Sequence, residues 1–387
     1  MILVKNGKIV TMANKDYENG CILIKDGKIL RVAENIEVDK DVEIIDAKGG
    51  WVLPGLIESH CHIGIYEQDM GFEGLDVNEA TDPITPELRA IDAINPMDTA
   101  FDDAVRAGVT TVMTGPGSAN VIGGQFVAMK TKGVCIDDMI LLEPAAIKVA
   151  FGENPKRVYK DRKRMPTTRM ATASLLRETL IKAKDYKLKK EKTLKEESDF
   201  DKNFKLEALL PVIDKKIPLK AHCHRADDIL TAIRIGKEFD LELTLDHCSE
   251  GHLIADYVKQ SGRCAIVGPS LTSRSKIELK NKSFSTPAIL SKNEVKISIM
   301  TDHPVTPIQY LPICAGLAVK EGLDMKEALK AITINAAEIC GVSDRVGSIE
   351  TGKDADIAIF DGNPLETLTS TLYTIINGEV VYRSEQA

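Results

Sequence analysis

Residues 55–64 read GLIESHCHIG: an apolar start, a carboxylate, then His60, Cys61 and His62 before the chain turns apolar again. Successive side chains on a strand point to opposite faces, so this spacing puts His60 and His62 on one face, with Glu58, and Cys61 on the other. The pattern recurs in IPLKAHCHR (217–225), where His222 and His224 share a face with Lys220. LELTLDH (241–247) ends in His247, and VKISIMTDH (295–303) carries Asp302 near its end. Four predicted strands thus finish in metal-ligating residue types, each followed by a loop. The C-terminal ends of barrel strands are where an active site is built.

Working outward, further apolar runs read as strands: VLPGLIESH (52–60), VTTVMTG (109–115), AAIKVAFG (145–152) and CAIVGPS (264–270). They alternate with helical patterns at 96–108, 227–240, 250–262 and 325–341. Strand–helix alternation over this length predicts an α/β fold, a (β/α)8 TIM-type barrel across residues 56–344. The two ends differ. Residues 1–55 and 345–387 are β-branched runs punctuated by Asn-Gly and Asp-Gly, the strongest short hairpin signals. They predict one small β-sandwich domain assembled from both chain ends. A mixed-charge stretch at 182–205, Lys-rich but interleaved with Asp and Glu, reads as a solvated helical insertion.

The 387 residues carry 50 Lys+Arg against 58 Asp+Glu, a net charge of −8, with 43% hydrophobic residues. This excludes disorder and coiled coil as the main architecture and argues against a nucleic-acid or anionic-membrane partner. No run approaches the length of a spanning helix, and the polar-interrupted start does not read as a signal peptide. Eight cysteines, three of them beside histidines, suit a reducing, cytoplasmic setting better than a disulfide framework.

Only seven histidines are present, so their gathering at strand ends is informative. Neutral imidazoles with a carboxylate suit a borderline divalent cation, zinc above all, with iron or manganese as alternatives. H-E-x-x-H, G-x-S-x-G and the P-loop pattern are missing, and GPGSANVIGG (115–124) has the wrong spacing for a dinucleotide cradle. That glycine-rich segment reads as a flexible active-site loop.

The chain resembles the amidohydrolase superfamily, in particular its imidazolonepropionase-like metal-dependent hydrolases, from end to end. The resemblance rests on PGLIESHCH, the later His222 and His247, the TDHP segment holding Asp302, and the flanking NGKI, DGKI and VGSIETGKDADIAIFDGNP motifs. It implies that His60, His62, His222 and His247 are metal-site histidines and that Asp302 is both ligand and proton shuttle. It implies one or two ions, with Lys148 on the fourth strand as a carboxylated bridge. Two alternatives stand beside that bridge: a buried neutralisation among Glu58, Lys148 and Lys220, and a carboxylate bridge from Glu153.

His224 shares the inward face with His222 and is the candidate for substrate or oxyanion contact, with His247 assisting. Arg225 and Arg274, on loops after strands, are candidates for holding a substrate carboxylate. His252 and His303 read as structural. The expected activity is hydrolysis of a C–N bond in an amide, cyclic amide or dipeptide-like small molecule. A deaminase on the same scaffold is the alternative, and a non-catalytic scaffold protein a minor one. The small domain would brace the barrel, and a homo-oligomer interface is compatible with it.

Overall fold

The computed structural model describes residues 1–39, 41–68 and 70–387. The N-terminal segment forms β1 (Ile2–Ile9), β2 (Tyr17–Lys25), β3 (Lys28–Ala33), β4 (Glu43–Asp46) and β5 (Trp51–Pro54). Asp26 and Gly27, both at positive φ, make the two-residue turn between β2 and β3 that the Asp-Gly signal predicts. Asn6-Gly7 does something else. It lies inside β1, where the pairing with β2 shifts register between Val4 and Gly7, so it marks a bulge and not a turn.

The barrel sheet follows: β6 (Leu56–Cys61), β7 (Val109–Thr114), β8 (Ile122–Lys130), β9 (Ile140–Ala150), β10 (Leu219–Cys223), β11 (Leu243–His247), β12 (Ala265–Val267) and β13 (Ile297–Ile299). These eight strands are hydrogen-bonded in chain order. β13 lies back against β6, joined by a Ser59–Ser298 hydroxyl bond of 2.8 Å and by Thr301 N–H donating to Glu58 at 2.7 Å. The result is the expected barrel with one departure. β8 runs antiparallel to both neighbours, because a tight connection after Gly115 replaces the helical crossover a parallel strand needs. The segment 115–124 is therefore not a free loop. Its last three residues open β8, and Asn120 is held by Glu79 O at 2.7 Å and Tyr159 Oη at 2.6 Å.

The expected strand 52–60 divides at Gly55. β5 before it belongs to the terminal sheet and β6 after it to the barrel; a Cβ on Gly55 would lie 2.0 Å from Thr110 Oγ1, so the two sheets meet here at glycine-only distance. The chain returns to the small domain with β14 (Ile357–Phe360), β15 (Thr371–Ile376) and β16 (Glu379–Arg383). β14 pairs with β5, so strands from both ends form one eight-stranded sheet ordered β16-β15-β14-β5-β1-β2-β3, with β4 beside β1. The sheet has its own core of Val4, Ile22, Ile24, Val52, Ile357 and Ile375. It is tied to the barrel by Lys130, buried at the end of β8, which reaches Asp354 at 3.0 Å and Asp356 at 2.5 Å.

The mixed-charge stretch is longer than expected and paired. A helix from Arg169 to Lys195 turns back through 196–203 into a second helix, Phe204–Ile213, and Tyr186 donates to Glu207 at 2.7 Å across the hairpin. The boundary fell short because Leu176, Leu180 and Ala183 bury an apolar stripe on the barrel before the charges begin. Among the described residues, no helix is long and apolar enough to cross a membrane. All eight cysteines are free.

Candidate active site

β6, β10 and β11 deliver five imidazoles to one buried place at the C-terminal mouth of the barrel. The rings of His222 and His247 are 4.3 Å apart, those of His224 and His247 4.3 Å, and those of His60 and His247 5.4 Å. Two groups of ligand atoms result, each lying within 4.8 Å: His60, His62 and Asp302; and His222, His224 and His247. Asp302 Oδ1 is 3.3 Å from His62 Nε2 and 3.6 Å from His60 Nε2.

Hydrogen bonds behind the rings set which nitrogen faces inward. His60 Nδ1 donates to Asp246 Oδ2 at 2.6 Å, His62 Nδ1 to Gly115 O at 2.6 Å, and His247 Nδ1 to Gly268 O at 2.9 Å. Each acceptor holds the proton on Nδ1 and turns Nε2 inward, the arrangement that orients metal-binding imidazoles; the Nε2 lone pair is bare on His247, while that of His60 faces Lys148 Nζ at 2.9 Å. Burial pushes His60, His222, His224 and His247 well below the usual imidazole range, so they are neutral. The cysteines between them are not ligands. Burial raises the thiols of Cys61 and Cys223 far above their ordinary values and that of Cys248 to about 12.

Several buried polar atoms here have no hydrogen-bond partner among the described residues: His222 Nδ1 and Nε2, His247 Nε2, Glu278 Oε1 and Asp302 Oδ1. Unsatisfied buried polar atoms are costly, and a native chain rarely gathers so many in one place. Imidazole nitrogens and carboxylate oxygens left bare together are what a divalent cation requires, so the donor set fits one. The backbone is held in unusual conformations at the same place: φ is +71° at His247, +47° at Cys248 and +54° at Asp302. Such conformations are sparsely populated for non-glycine residues and cluster at functional sites. At β11 the geometry has a clear use. Thr244 and Asp246 face inward by alternation, and the left-handed turn at His247 brings that ring inward as well.

Lys148, on β9, is fully buried with Nζ 2.9 Å from His60 Nε2 and 5.4 Å above the Phe126 ring. Burial lowers its amine to about 8. The alternative of mutual neutralisation with Glu58 and Lys220 does not hold. Lys220 pairs with Asp246 at 3.2 Å, while Glu58 accepts from Thr301 N, Thr301 Oγ1 and His60 N.

Other expected site residues lie elsewhere. Arg225 is at the surface, its guanidinium held by Asp227 at 2.9 and 3.0 Å. Arg274 is exposed and donates to Lys282 O at 3.2 Å. Glu153 opens a helix and offers its backbone N–H to Glu278 Oε2 at 3.1 Å; its carboxylate is in neither ligand group. Both arginines were placed by loop position alone, which does not say where a long side chain goes. His303 is packed away from the cluster, with Nδ1 accepting from Ile308 N–H at 3.2 Å, and His252 bonds to Thr286 at 2.9 Å.

Two residues escaped the sequence reading. Asp246, inward by alternation with Thr244, was legible in LELTLDH but overshadowed by His247. Glu278 lies on a short 3-10 turn (Ile277–Leu279) in a loop, where no periodicity marks it.

A family model described as the amidohydrolase family matches residues 51–381. Amidohydrolase tasK of Hapsidospora irregularis is 27% identical over 93% of this chain, which spans 39% of that protein. A dihydroorotase of Clostridioides difficile is 25% identical over 99% of this chain and all of its own length. An imidazolonepropionase of Caldanaerobacter subterraneus is 25% identical over 91% of this chain and 86% of its own. Among solved structures, an amidohydrolase from Thermotoga maritima superposes with a TM-score of 0.96 at 42% identity, covering 99% of this chain and 100% of that one. The match thus runs along nearly the whole sequence, and this chain belongs to the amidohydrolase family, whose members are hydrolases acting on C–N bonds.

Proposed function

We propose that the chain is a metal-dependent amidohydrolase that cleaves the C–N bond of an amide, cyclic amide or dipeptide-like small molecule. The observation that carries this reading is the set of bare, buried ligand atoms on His222, His247 and Asp302 beside the inward Nε2 atoms of His60 and His62. These residues would hold one or two divalent ions, zinc in the first instance. When bound, such an ion supplies Lewis acidity that acidifies water and polarises a carbonyl.

The chain's own residues supply the rest. Asp302 Oδ1 has no hydrogen-bond partner, so it is free to take a proton from the attacking water and pass it to the departing nitrogen. Asp246 holds the His60 ring by its Nδ1–H, and Gly115 and Gly268 carbonyls do the same for His62 and His247, so three rings keep fixed inward nitrogens. His224, held by Ser249 at 2.8 Å through Nδ1, turns its other nitrogen toward the same space. Lys148, with its amine lowered to about 8, has a neutral fraction able to add carbon dioxide and release a proton to solvent, and the resulting carbamate would supply an anionic ligand beside His60.

The test is a hydrolysis screen of the zinc-loaded protein against N-acyl amino acids, dipeptides, cyclic amides and aminated heterocycles, with amine and ammonia measured separately. Release of an amine or a ring-opened acid supports the proposal. Ammonia from the heterocycles alone replaces it with a deaminase, and no turnover with any class counts against both.

A further inference from the structure

Glu278 has no assigned part in the chemistry above. It is 2% exposed, and its Oε1 has no hydrogen-bond partner. That oxygen lies 3.8 Å from His224 Nε2 and 4.0 Å from His222 Nε2. Lys276 Nζ stands at 3.8 Å, an ion-pair contact beyond hydrogen-bond length, and donates to Asn154 Oδ1 at 2.9 Å. The other oxygen, Oε2, is anchored by the Glu153 backbone N–H at 3.1 Å, which aims Oε1 at the two rings. Room for this comes from Gly152, at φ +83°, where a Cβ would lie 2.9 Å from both Glu278 Oε2 and Asp228 Oδ2. The backbone has been shaped so that a buried carboxylate can stand here.

A divalent ion about 2.0–2.2 Å from each of three ligand atoms holds those atoms up to about 4 Å apart. Glu278 Oε1 lies within that span of both His222 Nε2, at 4.0 Å, and His224 Nε2, at 3.8 Å. His224 Nδ1 is engaged with Ser249, so Nε2 is the nitrogen left for the ion. We infer that Glu278 is a carboxylate ligand of a divalent cation held with His222 and His224, and that His224 is a ligand there and not a substrate contact. This rests on the metal-dependent reading above and extends it to a residue on the loop after β12.

The test is cobalt(II) binding to the metal-stripped full chain, followed by titration calorimetry and by the visible absorption of the bound ion, for wild type, E278Q and E278D. Apo-protein melting checks that each variant folds. The expected result is a loss of affinity of tenfold or more for one cobalt equivalent in E278Q, with a changed absorption band. E278D, which keeps the charge but retracts it by one methylene, should recover part of the affinity. E278Q with a wild-type isotherm and spectrum overturns the assignment while leaving the proposed function standing. A wild type that binds no cobalt, zinc or manganese overturns both. If E278Q does not fold, a wild-type isotherm in a folded E278D or H224N variant overturns the assignment in its place.

Discussion

Asp302→Asn separates the two jobs proposed for this carboxylate. The residue is 8% exposed, and Oδ1 makes no hydrogen bond among the described residues, so the amide fills the same volume and breaks no hydrogen bond of that oxygen. The backbone at φ +54° also tolerates the change, since asparagine enters the left-handed region more readily than most residues. Stability of the metal-free protein should therefore shift by less than about 1 kcal/mol. Turnover should not survive: an amide cannot accept the proton, and removing a general base typically costs about 10²–10⁴ in rate, roughly 3–5 kcal/mol on the barrier. The assay is kcat on a substrate identified by the hydrolysis screen, with zinc per chain measured on the same samples and melting recorded with and without metal. Wild-type turnover at matched zinc content refutes the proton-shuttle role. Activity that falls only in step with zinc would leave Asp302 as a ligand and nothing more.

The remaining predictions probe the surroundings of the site. Lys130→Met strands the buried Asp356 without its cation, while Asp354 keeps Lys28 at 2.6 Å and Arg345 at 2.8 Å, and breaking a buried pair costs about 3–5 kcal/mol, readable as a lower denaturant midpoint; an unchanged midpoint would show that the two domains do not depend on this clamp. In the metal-free protein, the buried neutral histidines predict acid sensitivity. Unfolded imidazoles protonate near pH 6.5, while burial holds His60, His222, His224 and His247 well below that and His303 at about 4. The unfolded state thus binds more protons, and stability present above pH 6.5 is lost as pH falls, by up to about 1.4 kcal/mol per pH unit for each ring. Melting followed from pH 7 to pH 4 after chelation checks this, and a flat profile would contradict the buried neutral state. Arg225→Ala should leave turnover within twofold and stability within about 0.5 kcal/mol, because its guanidinium is spent on Asp227 at the surface; a large rise in KM would return it to the substrate pocket.

Much of this protein is legible in its sequence because the signals are local. The two-residue period of a strand puts His60 with His62, and His222 with His224, on shared faces. Asp-Gly at 26–27 and Asn-Gly at 377–378 make two-residue turns because both positions accept positive φ. The apolar strands, the helix over Ala226–Phe239 and the β-rich ends follow from the same periodicities. What escaped is governed by contacts between residues far apart in the chain. β8 runs antiparallel because the Gly115–Val121 connection is too short for a crossover helix, and only its partners β7 and β9 reveal the direction. Lys148 faces His60, and Lys220 faces Asp246, across the inside of a closed barrel, where alternation gives the face but not the partner. Glu278 arrives on a loop whose course depends on the glycine at 152 and the N–H at 153. Which residues are chemically able to hold a cation, and which faces they share, is written locally, since strand geometry acts over two or three residues. Which of them meet is set by the closing of the barrel, which fixes distances between strands that no local rule encodes.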